Sequence, residues 1–124
     1  MRILAISSQV VYGPVGNTAA VPALQARGHE VLAIPTITLS NHPGHGQPTG
    51  FRTAPEELEG MLEKLEDLGA LSSCGAVLTG YFASPEQVET TAKVLVRMKS
   101  VNPGLFILVD PVMGDEGGSM CRKP

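Results

Sequence analysis

Two spacings of apolar residues take turns through this sequence, and their order predicts alternating strands and helices. Short apolar runs at Ile3 to Ile6, His29 to Pro35, Cys74 to Leu78 and Leu105 to Val109 have the length and β-former content of strands. The last of these, Leu105-Phe106-Ile107-Leu108-Val109, has no polar member, which predicts a strand buried on both faces. Between the runs the spacing lengthens to that of a helix. Leu58, Met61, Leu62, Leu65 and Leu68 are expected to face the sheet, with Glu59, Glu63, Lys64, Glu66 and Asp67 in water. Val88, Thr91, Ala92, Leu95 and Met98 give the next helix its buried stripe. Thr18 to Arg27 is the first helix, with Pro22 too deep for a first-turn proline and expected to kink it or delay its regular start.

The punctuation agrees. Asn17 is the expected cap of the first helix and Gly28 its stop. Thr53 is the expected cap of the second, with Pro55 in its first turn. Ser84-Pro85-Glu86-Gln87 is a capping box for the third, which Asn102-Pro103-Gly104 ends. Short helical crossovers imply right-handed connections between parallel strands, hence an α/β fold of about four mainly parallel strands flanked by helices. The longest irregular stretch, Ser40 to Arg52, is expected to be a lid, ahead of a disordered segment or an extra hairpin at the sheet edge. Within it His42-Pro43-Gly44-His45 reads as a turn rather than a metal pair, because Pro-Gly separates the histidines and no carboxylate or cysteine accompanies them.

Composition narrows the class. A chain of 124 residues suits one domain. Its hydrophobic content of 43% describes an ordered globular protein, and the net charge of -3 supplies no basic field for nucleic acid or anionic membrane. Two Tyr, three Phe and no Trp leave few platforms for stacking bases. Met1 to Ser7 is too short and too soon polar for a signal peptide, and no window approaches a membrane span, so a cytoplasmic location is expected. Cys74 and Cys121 stand far apart and read as free thiols.

Candidate chemistry collects at strand ends. In open α/β sheets ligands sit beyond the carboxyl ends of the strands. Ser8 leaves the first strand there, in a loop whose Gly13 and Gly16 let backbone approach a small ligand or simply make a tight turn. That loop lacks the third glycine of a dinucleotide fingerprint and the Gly-Lys-Ser/Thr of a P-loop. Thr79-Gly80-Tyr81 follows the third strand, and Tyr81 by itself suits a site or a core equally. After the fourth strand come Asp110, Asp115 and Glu116 among glycines, placed to meet a metal, a phosphate or a sugar hydroxyl, or to form a solvated turn.

Taken together, Ser8 to Ala20 (Ser-Gln-Val-Val-Tyr-Gly-Pro-Val-Gly-Asn-Thr-Ala-Ala), Ser40-Asn41-His42, Leu78-Thr79-Gly80-Tyr81 and Asp110-Pro111-Val112-Met113-Gly114-Asp115 resemble the pyridoxal kinases of the ribokinase-like superfamily. The first loop does not match the Gly-Ser-Asp-x-Ser-Gly-Gly-Ala-Gly of the sister hydroxymethylpyrimidine kinases. The resemblance implies a three-layer ribokinase-like fold, here incomplete. It implies transfer of the ATP γ-phosphoryl group to the 5′-hydroxyl of pyridoxal in vitamin B6 salvage, with ATP as co-substrate, Mg2+ as cofactor, and a homodimer for the full-length family. By position it gives Ser8 a hydrogen bond to the pyridine ring, Tyr81 a place beside that ring, and Asn41 to Gly46, with Pro43 and Gly44, the mobile loop over the substrate. Asp110 corresponds to the aspartate lining the nucleotide and metal site, with Asp115 reaching the same region. Pro43 stands where many members carry a threonine and cannot donate a hydrogen bond, so another vitamer or weaker binding is left open.

The resemblance assigns residues 1–118 to the N-terminal part of the kinase domain and 119–124 to a divergent tail. The family's proton acceptor, the Asp of a late Gly-Thr-Gly-Asp-like segment, does not occur in the 124 residues. Ser119-Met120-Cys121 begins like the family's continuation and then departs. The expectation is therefore a truncated or frame-altered kinase, inactive by itself and poorly soluble. A non-catalytic vitamin-binding module and a degenerate fragment are the alternatives.

Overall fold

A computed structural model describes residues 1–111. Its elements are β1 (Arg2–Tyr12), α1 (Asn17–Ala26), β2 (Glu30–Asn41), a 3-10 turn (Pro43–His45), β3 (Gly50–Arg52), α2 (Pro55–Asp67), β4 (Cys74–Thr79), α3 (Pro85–Val101) and β5 (Phe106–Val109). The sheet order is β3-β2-β1-β4-β5, with four parallel strands and β3 antiparallel to β2 at one edge. The parallel α/β architecture expected from the spacing is borne out, with one strand more.

From β1 the chain steps to β2 on one side, then crosses β1 to reach β4 and β5 on the other. Right-handed crossovers in opposite directions put α1 on one face and α2 and α3 on the other. On the two-helix face Leu4, Ile6, Ile34 and Val77 meet Leu58 and Leu62 of α2 and Val94 and Met98 of α3 in one buried cluster. Chain alternation leaves Ile3 and Ala5, also buried, for the α1 face.

Several local expectations are corrected. The stretch expected to be a lid is an edge hairpin: β2 runs on to Asn41 and β3 returns against it, pairing Thr38 with Phe51 and Leu39 with Gly50. Asn41 Nδ2 closes the connection by donating to the carbonyls of His42 (2.9 Å) and Gly46 (3.0 Å). Asn17 does not cap α1; Gly16, at φ 59°, holds that position, and Asn17 is the buried first helical residue. Its Nδ2 donates to the carbonyls of Ile34 (3.3 Å) and Ala5 (3.5 Å), so the amide ties helix to strands instead of satisfying the helix end. The helix starts at Asn17 and runs through Pro22 without the expected delay. Thr53 does not cap α2 because its hydroxyl donates to the Pro35 carbonyl (2.6 Å), leaving Ala54 at the cap. The buried stripe of α3 is Gln87, Thr91, Val94 and Met98: Thr91 and Met98 are buried as expected and Leu95 packs partly buried against the core, while Gln87 and Val94 take the places expected for Val88 and Ala92, which face water. Met61 and Leu68 of α2 are also exposed. The Ser84 cap holds: its hydroxyl accepts from the Gln87 amide at 3.2 Å. Finally, β5 is an edge strand among the described residues, with Phe106, Leu108 and Val109 exposed rather than buried on both faces.

Candidate functional site

The sheet register fixes what stands level with what. Ile6 of β1 is opposite Thr79 of β4, and Thr79 is opposite Val109 of β5. The residues just past that line are Ser7 and Ser8, Gly80 and Tyr81, and Asp110. Two further bonds extend the ladder to them: Gly80 N–H donates to the Ile6 carbonyl and Asp110 N–H to the Thr79 carbonyl, both at 2.8 Å. The backbone thus brings Ser8, Tyr81 and Asp110 near one line across three strands, although β1 itself runs on to Tyr12, and of the three Asp110 is the one that lines the crevice there. Because the chain departs from β1 in opposite directions, β1 and β4 also flank the topological switch point, where such sheets bind ligands.

A crevice of about 140 Å³ opens at this point, lined by Ser7, Gly16, Asn17, Thr79, Gly80 and Asp110 among others. That is the space of a few water molecules, room for one group of a larger ligand. Two glycines shape it. A Cβ on Gly80 would fall on the Ser7 hydroxyl, and one on Gly16 would fall on both the hydroxyl and the carbonyl of Ser8. Ser8 is half-buried against Gly16, where the β1–β2 register shifts between Ser7 and Gln9. It is within β1, not at its end, since β1 continues to Tyr12.

Tyr81 is half-buried, and its peptide is gripped from both sides. Its N–H donates to Ser7 Oγ (3.2 Å) and its carbonyl accepts from Thr36 Oγ1 (2.7 Å). Asp110 is exposed and faces the crevice as one of its lining residues. Asp115 lies outside the described residues. Pro43 and Gly44 are exposed in the 3-10 turn and do not join the rim. Tyr12 pairs with Asn41 six residues beyond Ile6, so this turn stands about 20 Å further along the strands. There His42 Nδ1 accepts from Gly44 N–H (3.0 Å), and the Tyr12 and His45 rings lie 5.1 Å apart. His42 is engaged in the turn, in line with the turn expected from Pro-Gly.

Sequence reasoning missed Ser7, Thr36 and Gln87, which hold the Tyr81 turn. A Ser-Ser pair on a strand sends one hydroxyl to each face, and that was the available signal for Ser7. Among the described residues no group of three His, Cys, Asp or Glu could hold a metal, and no helix is long and apolar enough to cross a membrane. The buried Cys74 starts β4 at the opposite end of the sheet; burial pushes its thiol up, outweighing the Arg2 charge that lowers it, as suits an inert free thiol.

No protein-family model matches the chain. Curated relatives do. Pyridoxal kinase PdxY of Rubrobacter xylanophilus is 41% identical over 124 residues, all of this chain and 43% of the relative. A pyridoxine/pyridoxal/pyridoxamine kinase of Bordetella avium is 40% identical over 114 residues, 92% of this chain and 38% of the relative. Among solved structures, the pyridoxal kinase of Leishmania donovani in complex with ADP and pyridoxamine superposes with a TM-score of 0.88 at 35% identity, over 98% of this chain and 43% of that one. The pyridoxal kinase of Entamoeba histolytica with PLP gives a TM-score of 0.88 at 30% identity, over 98% and 44%. The chain spans about two fifths of the length of the relatives it matches. In sequence and in fold it is similar to the N-terminal portion of the pyridoxal kinases, the ribokinase-like proteins that its four motifs resemble.

Proposed function

We propose that this chain supplies the vitamer-binding wall and one edge of the nucleotide site of an ATP-dependent pyridoxal kinase. The observation that supports the reading is that Ser8, Tyr81 and Asp110 follow within two residues of the Ile6–Thr79–Val109 line, beside the switch point of the sheet. Ser8 takes the pyridine ring by hydrogen bond and Tyr81 stands beside it. Asp110 lines the γ-phosphate side, with Asp115 directed to the same region. Relatives of known structure bind ADP with pyridoxamine or pyridoxine, which supports these ligand classes. Pro43 and Gly44 lie in the edge hairpin beyond the rim, and Pro43 has no N–H or hydroxyl to donate to a vitamer.

The residues present fit Mg2+. Asp110 is the carboxylate among the crevice-lining residues, and Mg2+ commonly takes one or two carboxylates, its remaining ligands being phosphates and water. Bound there, the ion would neutralise phosphate charge as the group is transferred. The Asp that accepts the substrate proton belongs to a segment not found in the 124 residues. The cytoplasm is the proposed compartment and a homodimer the proposed state of the whole kinase.

Titrating the purified chain with pyridoxal and Mg·ATP tests the reading. Saturable pyridoxal binding that Ser8→Ala weakens by about tenfold, without turnover, is expected. Turnover is expected when the chain is fused to the remaining three fifths of the Rubrobacter xylanophilus kinase. No binding by the chain and no turnover by the fusion would overturn it.

A further inference from the structure

Gln87 is a deeply buried amide that the proposed chemistry does not use. It projects from the first turn of α3, is 1% exposed, and satisfies all of its side-chain groups. Nε2 donates to the carbonyls of Thr53 (2.7 Å) and Thr36 (3.0 Å), and Oε1 accepts from Ala83 N–H (2.8 Å). The amide has one workable orientation, since a flip would set its oxygen against two carbonyls and its NH2 against an N–H.

These bonds join segments that the sheet keeps apart. Tyr81 to Ala83 leave β4, Thr36 belongs to β2, and β1 lies between the two strands. Thr53 immediately follows β3, at the foot of the hairpin that carries Pro43 and Gly44. The Thr36 hydroxyl and Ser7 then take the two ends of the Tyr81 peptide. Thr36 is itself fully buried, so this is a closed, satisfied polar network in a low-dielectric interior, the kind that fixes one geometry.

We propose that Gln87 is a positioning residue: with Thr36 it clamps the turn bearing Tyr81 to β2 and to Thr53 at the foot of the β2–β3 hairpin, so that Tyr81 holds one position at the rim. The proposal rests on the reading of Tyr81 as a ring-side residue. It goes beyond that reading by assigning the geometry of the site to a helix residue outside it.

Two isosteric variants of the full chain test it, Gln87→Met and Thr36→Val, each of which removes bonds while keeping volume. Amide hydrogen exchange should accelerate by about tenfold or more at Tyr81 to Ala83 while Leu4 to Ile6 stay protected. Pyridoxal affinity should fall by about tenfold while ADP affinity changes by less than about twofold. Unchanged protection of the turn would overturn the proposal. So would equal losses of pyridoxal and ADP affinity, the signature of general destabilisation. If the unmodified chain binds no pyridoxal, the substrate reading falls, and the exchange pattern alone still decides whether Gln87 holds the turn. Should Gln87→Met fail to fold, Gln87→Leu decides for Gln87 by the same two measurements, while Thr36→Val, which leaves the Gln87 bonds in place, reports on the Thr36 hydroxyl.

Discussion

Strands β1 and β5 carry the same signature, a run of four or five apolar residues with no polar member, and meet opposite fates. In β1, Leu4, Ala5 and Ile6 are each 0% exposed. In β5, Phe106 is 62% exposed, Leu108 52% and Val109 58%. β1 has β2 on one side, β4 on the other, and helices over both faces. Among the described residues β5 pairs with β4 alone, and Leu105 just before it and Ile107 within it pack into the α2–α3 core. An apolar run therefore states that a strand requires cover and leaves open what provides it. Among the described residues, the cover of β5 is missing on its outer side.

Paired truncations expose this difference most strongly. Leu4→Ala should lower the unfolding free energy by about 3 kcal/mol, as lost burial and a cavity add in a packed interior. Leu108→Ala should change it by less than about 1 kcal/mol. Urea titration of both variants checks the pair, and equal losses would mean that β5 is covered after all.

Association comes next in size. An apolar strand with a free edge is a template for a second chain. Sedimentation of the chain should show concentration-dependent self-association, which Leu108→Lys should reduce without lowering stability. A monodisperse, cooperatively unfolding monomer before any substitution would contradict the exposed edge.

What the sequence displayed and what it hid divide along the same line. The parallel strands, the three helices, the Ser84 cap and the place of Asp110 in the crevice were legible because each rests on local spacing or on a motif. The hidden parts are long-range choices by polar side chains. Asn17 and Thr53 are both good caps in isolation, yet each spends its hydrogen bonds on a strand carbonyl instead. Gln87 looked like the polar end of a capping box, but two carbonyls far away in sequence, those of Thr36 and Thr53, and the nearby Ala83 amide draw it inward, so that it takes the buried place expected for Val88. The β2–β3 hairpin was obscured by its own composition, since Gly, Pro, His and Asn signal a loop whether or not the flanking residues pair. Gly50 shows why pairing is possible: a Cβ there would collide with the Thr38 carbonyl.

The smallest expected effect lies on the well-covered side, at its surface. Arg97 of α3 grips Glu66 of α2 with two bonds of 3.0 Å, Nε to Oε2 and Nη2 to Oε1. The hydrogen bond from Arg97 holds the Glu66 carboxyl below its ordinary value, and the same bond raises Arg97. A carboxyl depressed in the folded state adds stability above its unfolded value and loses it as pH falls through the folded one. Both groups are well hydrated, so the pair is screened and worth little. Glu66→Gln should therefore lower the thermal midpoint at neutral pH by less than about 2 °C. The gap between variant and parent should close as pH drops below the carboxylate range, and shrink in high salt. Melting curves across pH check it. A large loss would mean that the α2–α3 seam depends on its surface charges, and the contrast between β1 and β5 would then owe less to apolar packing than Leu58, Leu62, Val94 and Met98 imply.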